Sequence, residues 1–241
     1  ECLDAVRVVN EEAGWRPGDD PTDAPTTGDG AANRLPKLLP GINLVHGLAG
    51  EREETFEHNK RFLQRVYDEG LMLRRINIRQ VMAFAGTEMS DTGAEVAHDH
   101  KTQFKRYKRE VREEIDRPML RRVAPPGTVL PGVHLEYHEG GKTFGRQLGT
   151  YPLLVAVPGE RELGTTMDVA LVDYGYRSVT GVPHPLDPNT ASMDELTALP
   201  GVGRSTAGDI VVNRPYASLG EVGVDADLSR FVAVDSMESA D

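Results

Sequence analysis

The sequence predicts a mixed α/β chain in three parts: a parallel sheet or barrel with helices, a small closed or partly closed β-barrel, and a short helical unit around a glycine hairpin. Three observations predict it. A strand, a helix and a second strand follow within ~50 residues, the spacing of a crossover between parallel strands. From "APPGTVLPG" onward the pattern changes to period two with frequent glycines, which suits a barrel of short strands. Near the end, "LTALPGVGRSTAGDIVVNRPY" (196–216) sets Gly201 and Gly203 between two short helical patterns.

The elements follow in order. In "ECLDAVRVVNEEAGW", Leu3, Val6 and Val9 recur at helical spacing with no capping residue and no Met ahead of them, so the natural protein is expected to continue upstream. Residues 16–34, rich in Pro, Gly, Asp and Thr, are too polar to pack and read as a disordered segment or a loop insertion. "LLPGINLVHGLAGE" (38–51) is a buried strand and turn. "EREETFEHNKRFLQRVYDEG" (51–70) is a helix whose apolar face holds Phe56, Phe62, Leu63, Val66 and Tyr67, with acids in its first turn and Gly70 at its end. A second strand lies in "LRRINIRQVMAF" (73–84), and a further helix runs from about His100 to Arg122 with Phe104, Tyr107, Val111 and Ile115 as its stripe.

A new domain starts near Pro125, with strands in "VHLEYH", "KTFGRQLG", "LLVAVP", "MDVALVDY" and "YRSVTGV". "PHPLDPN" (183–189) reads as a stiff linker. Ser192 and Glu195 form a capping box for the first hairpin helix, and "SLGE" (218–221) repeats it. The expected division is 1–124, 125–182, a linker at 183–191, a helical domain at 192–235 and an acidic, frayed tail at 236–241.

Composition bounds the function. The 241 residues are 39% hydrophobic, enough for a sizeable core. No apolar run approaches the ~18 residues of a membrane span, and no signal peptide is visible. Cys2 is the single cysteine, which leaves no internal disulfide and no cysteine-built metal site, and a cytoplasmic location is the default. A net charge of −11 argues against coating nucleic acid by bulk positive charge. With 21 arginines, six lysines and 38 acids, the chain suits a salt-adapted, halophilic cytoplasm in which self-repulsion is screened.

Candidate binding residues fall in two places. The hairpin's glycines permit a tight turn, and the first-turn amides of the following helix attract anions without any lysine. Gly201, Val202 and Gly203, with Arg204 and Ser205 as nearby donors, are candidates for nucleic-acid phosphate; the alternative is a hairpin that only packs helices or binds protein. On "RRINIRQV", Asn77 and Arg79 share one strand face where a core strand would be apolar. They read as ligand contacts, with Asn43 joining them, or as the solvated face of an edge strand. Gly47 and Gly50 allow close approach to a ligand or a sharp turn, and His46 is read as a packed, hydrogen-bonded residue. The basic residues of the 100–122 helix, Lys101, Lys105, Arg106, Lys108, Arg109 and Arg112, form a solvated face with ion pairs or a nucleic-acid contact.

These residues carry resemblances. LxxLPGVGxxxA followed by "RPYASLGEV" resembles the helix-hairpin-helix family of the DNA-uptake type, which implies sequence-independent binding of backbone phosphate. "GINLVHGLAGEREETFEHNKRFLQ", followed by a strand and "GTEM", resembles the second half of a radical S-adenosylmethionine barrel, as in the methylthiotransferase branch. Together with the terminal hairpin it is similar to an archaeal group of radical enzymes. "KTFGRQLGTYPLLVAV" and "RSVTGV" resemble a TRAM-like RNA-binding barrel. The implied architecture is the C-terminal half of a partial (β/α) barrel, a TRAM/OB-like β-barrel and a helix-hairpin-helix domain. The implied cofactors are S-adenosylmethionine, contacted by Asn43, Gly47, Gly50, Asn77 and Arg79, and a 4Fe-4S iron–sulfur cluster.

The chain departs from that pattern at one decisive point. The resemblance implies a four-iron cluster held by three thiolates, usually from CxxxCxxC; such clusters need thiolate ligands, and Cys2 alone cannot supply three. The chain by itself is expected to be inactive, with no catalytic residue and no metal ligand assigned, and to complete a longer enzyme whose N-terminal half-barrel is its first partner. The reading is therefore a radical enzyme's C-terminal portion acting on nucleic acid, RNA modification being favoured, with DNA or RNA as the partner and no membrane. The alternative is a non-catalytic nucleic-acid-binding or scaffold protein whose working site is the hairpin.

Overall fold

The structure is a computed structural model and describes residues 1–14, 35–36, 38–87, 89–90, 93–149, 152–223 and 228–234. These form two compact units that divide at Val123–Ala124. The expected loop insertion at 16–34 and the acidic tail at 236–241 lie outside the described residues.

The first unit opens with α1 (Cys2–Ala13) and then alternates β1 (Gly41–His46), α2 (Glu53–Asp68) and β2 (Arg75–Gln80). The crossover makes the two strands parallel and in register, Ile42 opposite Ile76 and Leu44 opposite Ile78. Alternation puts Ile42, Leu44, Ile76 and Ile78 on the face that joins the core, with Phe56, Leu63 and Val66 of α2. Ion pairs hold α1 to the end of α2 through Arg7 and Glu69 at 2.7 Å. The described residues contain two parallel strands here, too few to close a barrel.

After β2 come α3 (Gly93–Asp99) and a helical run that changes pitch: α4 (Lys101–Val111), one π-helical stretch (Arg112–Asp116) and α5 (Arg117–Val123). The sequence pattern showed this run as a single helix and did not reveal α3. Phe104, Tyr107, Val111, Ile115 and Met119 all bury into the same core, so the extra residue of the wide turn keeps the apolar stripe aimed inward.

The second unit is a closed barrel of β3 (Val129–Glu139), β4 (Lys142–Gln147), β5 (Leu154–Pro158), β6 (Thr166–Tyr174) and β7 (Ser178–Pro183), in the order β3-β4-β5-β7-β6. All neighbours are antiparallel except β5 and β7. Val133, Leu135, Val155, Val157, Val169 and Leu171 are buried. A Cβ on Gly145 would sit 2.3 Å from the His134 carbonyl oxygen, so β4 approaches β3 only because that side chain is absent.

The last elements are α6 (Met193–Ala198), α7 (Arg204–Val212) and the single turn α8 (Leu219–Val222). They share one core with the barrel. Ala170, Val172 and Val182 from its strands pack with Leu196, Leu199, Val202, Ala207, Ile210 and Phe231. The expected linker at 183–191 is therefore corrected. Leu186 and Ala191 are buried in that core, and Leu186 bridges Val232, its N–H donating to the Phe231 carbonyl at 2.9 Å. Proline content suggested a spacer, but the apolar residues between the prolines make it part of the packing.

Candidate nucleic-acid interface

The hairpin is built from its caps inward. Ser192 and Glu195 form the capping box: Glu195 accepts from the Ser192 N–H at 2.7 Å, and Ser192 Oγ accepts from the Glu195 N–H at 3.3 Å. Glu195 is only 6% exposed and also pairs with the Arg161 guanidinium on the barrel. The box thus starts α6 and fixes it to the barrel together. Behind the hairpin, Arg214 donates to the carbonyls of Pro188 and Ala191. Asn189 and Tyr216 exchange two hydrogen bonds, of 2.7 and 3.0 Å. No spacing rule announces this clasp, because its partners come together only in the fold.

At the tip, Gly201 turns the chain at φ +77°, where a side chain would be strained. Gly203 caps α7 with extended backbone (φ −82°, ψ 170°) and offers no side chain to the helix's first amides. A Cβ on Gly203 would meet no heavy atom within 4 Å. The first turn of α7, with Arg204 and Ser205, therefore begins without the oxygen cap that α6 has. Its leading N–H groups remain for an outside anion.

Val202 is corrected as a phosphate contact. Its N–H donates to the Leu199 carbonyl at 3.2 Å and its side chain is buried in the shared core. It anchors the tip from beneath. The second capping box also differs: Glu221 reaches the Ala217 N–H at 2.8 Å, and the Ser218 side chain makes no cap bond.

The other candidate residues lie in the first unit. Asn43 and Asn77 are opposite one another, joined by a 2.8 Å bond from Asn77 Nδ2 to Asn43 Oδ1. Arg79 lies on the same face opposite Val45, and Asn43, Val45 and Arg79 are exposed. Gly47 and Gly50 are in the β1–α2 turn with φ of +86° and +82°. Gly47 is buried, its N–H donates to Glu51 Oε1 at 3.0 Å, and a Cβ there would meet Ala97 at 3.1 Å. Its freedom serves the turn and a close approach to α3, whereas Gly50 faces open space.

His46 is fully buried, bonded through Nδ1 to Glu51 Oε2 at 2.9 Å and stacked on Phe56 with centroids 4.6 Å apart. The basic side of α4 is partly spent within the unit. Arg106 faces Glu110 at 3.7 Å, and Lys108 lies 5.7 Å from the Phe104 ring centroid. Among the described residues, no helix is long and apolar enough to cross a membrane.

The chain is 45% identical over 197 residues to an uncharacterized protein of Archaeoglobus fulgidus, covering 81% of this chain and 35% of that protein. It is 47% identical over 183 residues to an uncharacterized protein of Methanocaldococcus jannaschii, covering 75% of this chain and 31% of the relative. The chain thus spans about a third of the length of the curated relatives it matches. Residues 189–212, which include the clasp residue Asn189, both hairpin glycines and all of α7, match the helix-hairpin-helix motif.

Proposed function

We propose that this chain holds nucleic acid by its phosphate backbone, without reading sequence, through the helix-hairpin-helix tip. The observation that carries this reading is the start of α7: a glycine cap, open space where a Cβ would stand, and first-turn amides with no side-chain cap. A phosphate oxygen fits such a helix start by charge and by hydrogen bonding. Gly203, Arg204 and Ser205 are the contacts, and Gly201 shapes the turn. The strand order β3-β4-β5-β7-β6, with its parallel β5–β7 pair, supports reading the adjoining barrel as OB-like, a class that binds oligonucleotides.

The test is binding of single- and double-stranded oligonucleotides across a salt series. Short-range amide contacts give a shallow slope of affinity against salt, whereas neutralising many phosphates gives a steep one. A shallow, sequence-independent slope that Gly203→Val abolishes supports the tip. A steep slope untouched by that change assigns binding to the basic side of α4.

A catalytic setting rests on a different feature. β1 and β2 present Asn43, Asn77 and Arg79 on one side of a parallel sheet whose other side is packed against helices. That supports the C-terminal half of a (β/α) barrel in a longer radical S-adenosylmethionine enzyme acting on nucleic acid, RNA above all. Asparagine amides and a guanidinium are groups that suit the cofactor's amino, carboxylate and ribose groups. When bound, S-adenosylmethionine would supply the reactive group, and these residues would orient it. The iron–sulfur cluster does not fit this chain, which has one cysteine, exposed Cys2. Among the described residues no group of His, Cys, Asp and Glu could hold a metal. That mismatch favours the second reading for the chain on its own, a non-catalytic nucleic-acid-binding protein. Reconstitution of the longer protein with iron and sulfide separates them: cofactor cleavage supports the enzyme, and a loaded cluster without cleavage supports the binding protein.

A further inference from the structure

The surface of α4 is divided three ways. Phe104, Tyr107 and Val111 bury into the core of the first unit. Gln103 and Glu110 face α2, where they meet Glu53 at 2.7 Å and Lys60 at 2.9 Å. Arg106 stands on that same side, 3.7 Å from Glu110. The third side is cationic. At the helical repeat, Lys101, Lys105, Lys108, Arg109 and Arg112 fall within about 100° of arc, and no acid of α4 falls among them. Three of the chain's six lysines lie on this one stripe, in a protein whose net charge is −11.

The acids nearby are turned elsewhere. Lys60 of α2 pairs with Glu110 and with Glu114, each at 2.9 Å. Asp99, just ahead of α4, lies 3.8 Å from His98. Lys108 and Arg112 have contacts within the chain, as do Glu113 and Asp116 beyond them. Lys101, Lys105 and Arg109 are exposed, and among the described residues their side chains make no hydrogen bond or ion pair, Arg109 acting on Glu110 only from a distance. Local stability disfavours this arrangement. Lys101 opens the helix, where the dipole repels cations, and the first turn holds no acid. Lys105 stands four residues from Lys101 and from Arg109 and three from Lys108, spacings at which like charges destabilise a helix. A polyanion outside the chain is the partner that would neutralise such a row.

Five cations along about 16 Å of helix is one per about 3 Å, comparable with the one phosphate per about 3.4 Å of axis on each strand of a duplex. We propose that this side of α4 is a second contact for nucleic acid, in which Lys101, Lys105 and Arg109, flanked by Lys108 and Arg112, neutralise the phosphates of a duplex. The choice of partner rests on the nucleic-acid reading. The contact itself does not use the hairpin tip, and the two differ in range: amide contacts at the tip persist in salt, whereas the stripe acts through charge and fades as salt rises.

The experiment titrates the full chain, freed of nucleic acid, with a duplex oligonucleotide across a salt series. A steep dependence at low salt that flattens at high salt is expected. Lys105→Gln should lower the steep slope by about one, and Lys101→Gln, Lys105→Gln and Arg109→Gln together by about three. The advantage of the parent over that triple variant should then shrink about forty-fold between about 50 and about 200 mM salt. Gly203→Val should remove the high-salt binding and leave these differences in place, so failure of the tip and failure of the stripe are read separately. Arg61→Gln, which removes one exposed cation from α2, should leave the slope unchanged. The substituted side chains are all exposed, so every stripe variant should melt close to the parent. The proposal is overturned if the triple variant keeps the parent's slope or if Arg61→Gln lowers it as much as Lys105→Gln does. Polyglutamate binding as tightly as the duplex would also overturn it, by assigning the stripe to acidic protein.

Discussion

Gly201 and Gly203 stand two residues apart and do different work. Gly201 sits at positive φ, so Gly201→Ala should destabilise by about 1–2 kcal/mol and lower the urea midpoint. Gly203 has an ordinary φ and open space at its Cβ, so Gly203→Ala should change stability by less than about 0.5 kcal/mol while weakening oligonucleotide binding. Equal stability losses in the two variants would contradict this division. Val202, buried beneath the tip, belongs to neither class: Val202→Ala should cost about 2 kcal/mol through lost burial and a cavity. The sequence showed all three as one anion site, because spacing reveals a tight turn but not which amide the turn itself consumes.

Between elements, two polar ties lead to measurable outcomes. Arg161 ties the loop after β5 to the buried Glu195 of α6. Arg161→Met should cost about 2 kcal/mol, the value of a hydrogen bond to a charged group, with the Ser192 bonds limiting the loss. Lys60 of α2 reaches Glu110 of α4, and its hydrogen bond holds the Glu110 carboxyl below the ordinary value. A depressed carboxylate stabilises the fold at pH above its unfolded value, and that contribution disappears as pH falls through the depressed one. Denaturant midpoints should therefore drop between neutral pH and about pH 3 by less in Lys60→Met than in the parent.

How much of this was legible follows from the range of each signal. The parallel βα crossover, the period-two strands and the Ser192–Glu195 box are local patterns, and the chain displays them directly. The packed state of 183–191, the Arg214 clasp and the π-helical stretch depend on partners tens of residues away, and no local pattern encodes them.

At the scale of the whole molecule, charge and cooperativity dominate. A net charge of −11 on 241 residues repels itself in dilute salt, so the melting temperature should rise as sodium chloride is added and level off once screening is complete. An unchanged melting temperature would remove the argument for salt adaptation. Because the barrel and the hairpin share one core, their amides should exchange together. Ala207 and Ile210 of α7 should be protected to about the level of Val169 and Leu171 inside the barrel. That shared core has a practical consequence for anyone who would dissect the protein. A protease cut placed among residues 187–190 would sever the backbone without separating the pieces, since Leu186 on one side and Phe231 and Val232 on the other remain locked together. The two fragments, made apart and mixed, should find each other and restore the hairpin, whereas either one alone would present a greasy wall to water and precipitate.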